Sequence, residues 1–428
     1  MPPSQPMNRI ASSMFNPSAG RQSKRLTKMA FGLGLSILIA ATFLIRQLTA
    51  CPLCEAIGST ISDDLQSPAI GVIVKVTDCK SRDDGAGFDL MVDFVGSVGE
   101  QRKLPKFEGV FSFSEVPKGK KILLIGTPDV AATSTTNLEE ITWLWNTPLE
   151  LSDASADYVQ NLPLADRSES ERLEYFYRHL YATEQQVSDD AYSECARISL
   201  DTIRKDSFRK TFEKQKLIEA LRKPDFPAKY KSFLWMVLAE LGEQNDAPIF
   251  LELAMPLITD ELKNPEIETI QSSTLASYPW LAASMACYAR LGGEPAVQAL
   301  ETKVLSNRQC PVGLKSAAIS AIRVLGSDLD PSQMARSARA LAHVLDDPFA
   351  ADLVIPDLAR WEYWEAMPQL AKLFHAPESE QGLSRYLIIN YMRHCPLPQA
   401  VAELEKMKTH DPKSYRRALA MVPNVDMK

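Results

Sequence analysis

Between residues 66 and 150, apolar side chains come in short runs separated by turn residues. The runs cover residues 69–76, 88–95, 110–113, 121–125 and 141–145. In the third run, Phe111 and Phe113 alternate with serines, which is the period of a half-buried strand. Five strands in a segment of this length predict a small antiparallel β-barrel of the OB type. We assign this β-rich domain to residues 51–163.

From residue 169 onward, the apolar positions follow a helical period. The stripes that begin at Leu173 and at Tyr230 both repeat at steps of three and four residues. Each stripe lies on one side of a helix and must be buried against a neighbouring element. Residues 169–428 are therefore predicted to form an all-α domain. A short helix over residues 153–160 is expected to close the barrel before it.

Leucine–glycine pairs mark three predicted helix ends, at Gly242, Gly292 and Gly326. A glycine at such a position can take the left-handed conformation that ends many helices. A turn containing a proline and then a second helix follow each pair. Asp330 and Pro331, for example, have the residue types of an N-cap and a first helical position.

The glycine-marked units form an irregular internal repeat. Their leucines, at positions 241, 291 and 325, are 50 and then 34 residues apart. Units of paired helices with this spacing resemble HEAT-like repeats over residues 169–420. The resemblance implies a right-handed, ARM-type solenoid, in which stacked helix pairs bury a continuous core. A globular helical bundle is the alternative.

An uncharged segment, residues 29–45, precedes both domains. As a helix it would span roughly 25 Å, near the lower limit for crossing a bilayer. We predict a transmembrane or signal-anchor helix over residues 29–46, after a disordered basic leader over residues 1–28. Because positive flanks stay in the cytoplasm, the bulk of the chain is expected outside, in the periplasm or at the cell surface.

Processing of this segment leaves alternatives open. Residues 48–51, Leu-Thr-Ala-Cys, resemble the lipobox of bacterial lipoproteins, in which the cysteine becomes the lipidated first residue. Arg46 and Gln47 separate the motif from the apolar run, which departs from that pattern. The membrane contact is thus either the helix or a lipid on Cys51, and soluble secretion after Ala50 is a third alternative.

Charge is divided unevenly along the chain. Residues 1–50 hold six basic and no acidic side chains. Because the whole chain carries −7, residues 51–428 together carry −13. An acidic body without a basic stripe binds phosphate backbones poorly. Nucleic acid is therefore not an expected partner.

Seven cysteines leave at least one without an intramolecular disulfide partner. Cys51 and Cys54 form a Cys-x-x-Cys pair where the chain leaves the predicted membrane helix. A structural disulfide, with Cys79 as a further candidate, or lipidation is expected for these cysteines. A thiol-disulfide oxidoreductase-like activity at Cys51 and Cys54 is an alternative, although that motif ordinarily begins a helix after a strand.

The β-rich segment carries a second family resemblance. Its leading cysteines are followed by the strand Gly-Val-Ile-Val-Lys-Val (71–76), the strand Gly-Lys-Lys-Ile-Leu-Leu-Ile-Gly (119–126) and a strand bearing tryptophans. Together these resemble the netrin-like OB barrel of the tissue metalloproteinase inhibitors, over residues 51–150. The resemblance implies a second alternative function, in which an unmodified N-terminal Cys51 chelates the zinc of a metalloprotease. That family has Cys-x-Cys, whereas this chain has Cys-x-x-Cys.

Catalytic and metal-binding motifs are missing from the sequence. The five histidines have no zinc-binding spacing, and the chain contains neither a glycine-rich phosphate loop nor a nucleophile elbow. Acid pairs such as Asp189 and Asp190 are expected at helix ends, where they suit the helix dipole. No cofactor, metal or catalytic residue is predicted.

One segment concentrates aromatic and charged side chains and is the candidate partner-binding site. It comprises Arg360, Trp361, Glu362, Tyr363, Trp364 and Glu365. Aromatic residues supply contact area at low entropic cost, so the segment suits a peptide or protein partner. The alternative is that Trp361 and Trp364, three residues apart, are buried in helix packing. The sequence thus predicts a multidomain, membrane-tethered interaction or scaffold protein rather than an enzyme.

Overall fold

The computed structural model describes residues 51–54, 58–66, 68–98, 110–129, 142–263, 278–327, 330–376 and 384–421. The predicted leader (1–28) and membrane helix (29–46) lie outside these residues. Within them, no helix combines the length and the apolar composition needed to cross a membrane. Residues 50–428 form one compact unit.

A nearly closed antiparallel sheet forms the first part of this unit. Its strands are β1 (Ile70–Ser81), β2 (Phe88–Ser97), β3 (Val110–Ser112), β4 (Lys121–Pro128), β5 (Trp143–Trp145) and β6 (Leu149–Leu151). The strand order is β3-β2-β1-β4-β5, and β6 pairs with the first residues of β4. Each predicted apolar run contains one of the first five strands, so the barrel-like sheet is confirmed at this level.

Strands β1 and β4 are the centre of the sheet. Their register places Val72 opposite Leu124 and Val74 opposite Ile122. On its other side, β1 pairs with β2, and the register shifts between Ile73 and Val74 and again between Val76 and Asp78. Such bulges bend and twist a strand. They therefore help this sheet to curl.

Both faces of the central strands are buried, in two separate cores. The concave face holds a core of apolar side chains: Val72, Val74, Val76, Leu90, Val110, Val116, Ile122 and Leu124. The opposite face of the same strands contributes Ile73, Leu123 and Ile125 to a larger core that continues through the helices. Burial on both sides explains why these strands are almost continuous apolar runs rather than alternating ones.

Helices make up most of the remaining described chain. They are α1 (Ile61–Asp64), α2 (Asp153–Gln160), α3 (Glu169–His179), α4 (Gln185–Cys195), α5 (Leu200–Ile203), α6 (Asp206–Thr211), α7 (Lys214–Arg222), α8 (Ala228–Leu241), α9 (Pro248–Leu253), α10 (Met255–Lys263), α11 (Leu281–Leu300), α12 (Val312–Gly326), α13 (Pro331–Ala342), α14 (Ile355–Arg360), α15 (Met367–Phe374), α16 (Ser384–His394), α17 (Pro398–His410) and α18 (Pro412–Met421). Single-turn segments connect several of them.

Local sequence signals set several helix starts. The Ser168 hydroxyl caps α3 by accepting a hydrogen bond from the Glu171 amide, and the Glu171 carboxylate accepts one from the Ser168 amide. This capping box satisfies two amides that a helix start leaves unpaired. Asp330 caps α13 and Pro331 is its first residue, as predicted.

The predicted left-handed glycine ends are wrong at all three positions. Gly242 has φ −74°, and Gly326 is the last residue of α12. The left-handed glycine is Gly293, one residue after the second predicted end, at a kink within α11. Close contacts explain why glycine stands at positions 242 and 326. A Cβ would lie 2.4 Å from the Leu238 carbonyl oxygen at Gly242 and 2.6 Å from the Trp361 ring at Gly326.

Candidate functional site

Three surface clefts meet at residues 181–186, which comprise the turn between α3 and α4 and the first two residues of α4; this segment is called the α3–α4 turn below. Ala182 and Thr183 line two of the clefts, and Gln185 lines two. The side chains of Thr183, Gln185 and Gln186 are exposed. None of these three side chains forms a hydrogen bond within the described part of the chain. This turn therefore presents free polar groups between three concave surfaces.

The first cleft, named here the α2–α3 cleft, has a volume of about 520 Å³. Tyr158 and Asp157 of α2 face Tyr175 and His179 of α3 across it, and Glu184 lies at its rim. The His179 ring packs against both tyrosine rings, with centroid distances of 4.9 and 4.4 Å. Its Nδ1 donates to the Tyr175 carbonyl oxygen at 2.8 Å, which fixes the ring.

The second cleft, named the strap cleft, has a volume of about 590 Å³. One wall is part of residues 58–65, a segment that we call the strap, and Asp64 is its exposed acid. The opposite wall is α4, with Asp189 and Asp190. The Ser152 hydroxyl donates to the Glu184 carboxylate at 2.6 Å near the start of α4.

The third cleft, named the α7 cleft, lies between the helix pair α3–α4 and the helix pair α7–α8. Its volume is about 530 Å³. Its aromatic lining includes Tyr181, Phe226 and Tyr230, and the rings of Tyr181 and Phe226 are 5.9 Å apart. The Lys216 ammonium lies 4.6 Å from the Tyr181 ring centroid, a cation–π arrangement. This cleft is therefore aromatic with mixed charge, whereas the other two are acidic.

The strap is tied to α4 by two buried carboxylates. Asp190 accepts a hydrogen bond from the Ile61 amide at 2.8 Å and one from the Tyr158 hydroxyl at 2.5 Å. Glu194, one helical turn further along, accepts from the Thr60 hydroxyl at 2.6 Å. The strap, the sheet-associated helix α2 and the helical region thus meet at one polar cluster.

Two arginines complete this cluster. Arg172 of α3 forms an ion pair with Glu194 and donates to the Ser62 hydroxyl of the strap at 3.2 Å. Arg197 pairs with Asp63 at 2.5 Å and donates to the Gly58 carbonyl oxygen at 2.9 Å. The hydrogen bonds that the Asp63 carboxylate accepts lower its pKa, although its partial burial acts in the opposite direction.

Electrostatics distinguish Asp190 from the other acids of the cluster. Burial raises the pKa of Asp190 to about 6, and the charges of Glu194 and Asp63 add to the rise. The hydrogen bonds from Tyr158 and Ile61 oppose it but do not cancel it. Burial also raises the pKa of the Tyr158 hydroxyl far above its usual value, so this group stays a proton donor.

The contacts described above hold the cluster together. Each of them joins two protein groups, and only 2% of Tyr158 is exposed. Among the described residues, no three His, Cys, Asp or Glu side chains are placed to hold a metal ion. Residues that could bind a ligand are instead those that line the clefts.

Two of the three cysteines of the predicted site are bonded to each other. Cys51 and Cys54 form a disulfide, and the Cys54 amide donates to the Cys51 carbonyl oxygen at 3.2 Å. Cys51 is buried and belongs to the core shared by sheet and helices, while Cys54 is half-buried. Cys79 is a half-buried free thiol in β1, apart from this pair. The structure therefore does not join the three cysteines.

The aromatic segment at residues 360–365 is a turn, not a helix face. Helix α14 ends at Arg360, and Glu362 has a positive φ of 54°. Trp361 and Trp364 are half-buried; the Trp361 ring contacts Gly326, and the Trp364 ring contacts Tyr391 with centroids 5.2 Å apart.

The exposed side chains of this segment are charged. They are Arg360, Glu362 and Glu365. The Tyr363 side chain is half-buried, and its carbonyl oxygen accepts from the Tyr391 hydroxyl at 2.5 Å. The aromatic rings are thus partly engaged in packing, and the partner-binding role of residues 360–365 stays a prediction.

Sequence reasoning missed the strap cluster. It assigned Asp189 and Asp190 to a helix end, which is wrong because both lie in the middle of α4. A signal was present: Asp190 and Glu194 are four residues apart, on the same helical face as the apolar residues Val187, Ala191 and their neighbours. Acids on an apolar face require buried partners. Those partners lie far away in sequence, at Thr60, Ile61 and Tyr158.

Comparison with known proteins adds little. No protein-family model matches the chain, and no curated protein matches it. Three chains of solved structures match. One is the crystal structure of an engineered protein from the Northeast Structural Genomics Consortium, 17% identical, with 55% of this chain and 79% of that chain covered and a TM-score of 0.21. This likeness carries no argument about fold or function.

Proposed function

We propose that this protein is a non-catalytic, membrane-tethered interaction protein that binds a protein or peptide partner. The observation that supports this best is the convergence of three clefts on the exposed α3–α4 turn. Binding sites are concave and combine apolar walls with a few polar groups. Here tyrosine and phenylalanine rings form the walls, and Thr183, Gln185 and Gln186 supply unused polar groups.

We further propose that the helical region is a HEAT-like solenoid. Helices contact mainly their near neighbours along the chain: α3 with α4, α7 with α8, α8 with α11, α11 with α12, and α12 with α13. Stacked repeats have this property because each unit touches only the next. Helix α8 is buried along almost its whole length, as expected for an inner layer.

Ion pairs between successive helix pairs support the same proposal. Six of them among the described residues join residues 30 to 36 positions apart, close to the length of one two-helix unit. They are Arg204–Glu240, Lys214–Asp246, Arg222–Glu252, Glu301–Arg336, Lys315–Asp347 and Arg323–Asp357. A recurring spacing is expected when equivalent positions of neighbouring repeats face each other.

The membrane tether rests on the predicted helix over residues 29–46, of which residues 29–45 are uncharged. The strap begins twelve residues after this segment ends. For the β-rich part, the strand order supports an OB-like barrel. The two alternative functions at the cysteines have less support, because a buried Cys51 is poorly placed for thiol exchange or for chelating a protease zinc.

Site-specific photo-crosslinking in intact cells tests the proposed surface. A photoreactive residue replaces Lys223, an exposed residue at the rim of the α7 cleft, in the full-length protein. We expect a discrete crosslinked product. The product should be reduced at least fivefold when Thr183→Arg and Gln185→Arg are added, because both side chains point away from the core and would obstruct the clefts.

The matched control places the same two arginines elsewhere in the helical region. Thr302 and Gln309 are an exposed threonine and an exposed glutamine, and Thr302→Arg/Gln309→Arg should leave the product unchanged. If both pairs of arginines reduced the crosslink equally, the α3–α4 turn would not be the binding surface. Arg360→Ala/Glu362→Ala in the same assay tests the predicted site at residues 360–365.

A further inference from the structure

The strap is fastened by groups that lie far apart in sequence. Its Thr60 hydroxyl and Ile61 amide contact Glu194 and Asp190, respectively. Both carboxylates are almost entirely buried, at 1% and 9% exposure. They lie one turn apart on α4, so their charges repel each other across a short distance.

Charge in this cluster does not balance. Glu194 is paired with Arg172, and Asp63 is paired with Arg197. Among the described residues, no ion pair involves Asp190, which accepts hydrogen bonds only from neutral donors, Tyr158 and Ile61. Three carboxylates therefore face two guanidinium groups. A buried, unpaired carboxylate is costly, and a proton is the simplest way to remove its charge.

Titratable groups face Asp190 from the strap, α2, α3 and α4. Asp63 faces it from the strap, Tyr158 from α2, and Tyr175 from α3. Glu194 lies beside it on α4, with Arg172 on the far side of Glu194. Arg197 donates a hydrogen bond to the Asp63 carboxylate. The cations thus neutralise the neighbouring acids, and the nearest charges to Asp190 are negative.

We propose that the strap is a pH-responsive latch, held most firmly to the helical region when Asp190 carries a proton and loosened when Asp190 ionises near neutral pH. Because the strap forms a wall of the strap cleft, loosening widens that cleft. The latch itself requires no partner and stands apart from the proposed binding function.

The direction of the pH effect follows from the two states of the strap. In the closed state, burial raises the pKa of Asp190 to about 6 from a usual value of 3.8. In the open state, water reaches the carboxylate and its pKa returns toward the usual value. The closed state therefore binds the proton more readily, so closure is favoured at mildly acidic pH and is weakened as pH rises through 6.

Hydrogen exchange measured by mass spectrometry on the full-length protein tests the latch. Peptides that cover residues 58–65 are followed between pH 5 and pH 7.5, with rates corrected for intrinsic exchange. We expect protection of the strap to fall about tenfold over this range, the change that linkage gives for pKa values of about 6 and 3.8. Peptides from α12 serve as an internal reference whose corrected protection stays constant.

Three variants test whether the effect comes from Asp190. Asp190→Asn should make strap protection independent of pH over the same range, while Asp64→Asn, an exposed acid on the strap itself, should retain the wild-type dependence. Tyr158→Phe removes a hydrogen bond that favours the ionised carboxylate, so it should move the midpoint to higher pH. If Asp190→Asn fails to fold, the midpoint measured for Tyr158→Phe tests the proposal. A flat wild-type profile, or an unchanged midpoint in Tyr158→Phe, would overturn the proposal.

Discussion

Gly326 and Trp361 meet at the end of α12, where the chain has no room for a Cβ atom. The Cβ of an alanine at position 326 would lie 2.6 Å from the Trp361 ring and 2.9 Å from the Ser337 Cβ. Real Cβ atoms do not approach other atoms so closely, so either the ring or the helix must shift. This contact gives Gly326 a packing role that is independent of helix termination.

Gly326→Ala is expected to lower the free energy of unfolding by about 1–3 kcal/mol, the usual cost of overpacking a core. In a Trp361→Ala background the added cost should shrink, because the ring that obstructs the methyl group is gone. Denaturant unfolding of the four proteins in this cycle gives the measurement. Gly58→Ala, where nothing lies within 4 Å, is the control and should stay within about 0.5 kcal/mol.

At the scale of single elements, α7 shows how a buried ammonium group can cap the C-terminal end of a helix. The Lys231 ammonium donates to the Leu221 carbonyl oxygen at 3.0 Å and to the Lys223 carbonyl oxygen at 2.8 Å. These carbonyl groups have no partner within the helix because they lie at its end. Burial lowers the pKa of Lys231, and its position near the Trp280 ring partly compensates for lost hydration.

Lys231→Met should therefore destabilise the protein by about 1–3 kcal/mol, the cost of leaving the buried Leu221 carbonyl oxygen unsatisfied. Lys229→Met is the matched control. Lys229 is half-exposed, and its ion pair with Asp189 is expected to contribute at most about 1 kcal/mol. Equal losses of stability in the two variants, measured by urea unfolding, would show that capping of α7 is not the main role of Lys231.

At the scale of the whole molecule, the sheet and the helices share one core. Ile73 of β1 and Leu123 of β4 belong to the same buried cluster as Leu173, Phe233 and Leu314 of the helices. A shared core couples the unfolding of the sheet and the helices, because the apolar side chains of each become exposed when the other unfolds. Residues 163–169 separate the β-rich part from the helical part, and the predicted domain division at this point stays a prediction.

We expect the sheet and the helical region to unfold in a single transition. Far-UV circular dichroism reports on the helices, and a fluorophore on Cys79, the only half-buried free thiol among the described residues, reports on the sheet. Ile73→Ala should lower both midpoints together, with a loss of about 2–4 kcal/mol. Phe113→Ala, at a 72% exposed position, should change neither. Two separated transitions would instead favour independent domains.

The sequence by itself determined the order and type of the elements. Short apolar runs bounded by turn residues located the strands around Val72 and Leu123, and period two located the strand at Phe111. Helical stripes located α3 and α8, because these periods follow from backbone geometry alone. Capping residues such as Asp330 also act locally, so their role could be predicted. The acidic body and the uncharged segment 29–45 are likewise properties of composition.

Tertiary structure alone decided which polar groups are used and where the surface is concave. Asp190 contacts Ile61 and Glu194 contacts Thr60 across 129 and 134 positions of sequence, respectively, and no local pattern encodes such contacts. The clefts at the α3–α4 turn have the same origin, since their walls come from the strap, α2 and α7. Periodicity shows that a face must be buried, but the long-range packing of the chain selects the element that covers it.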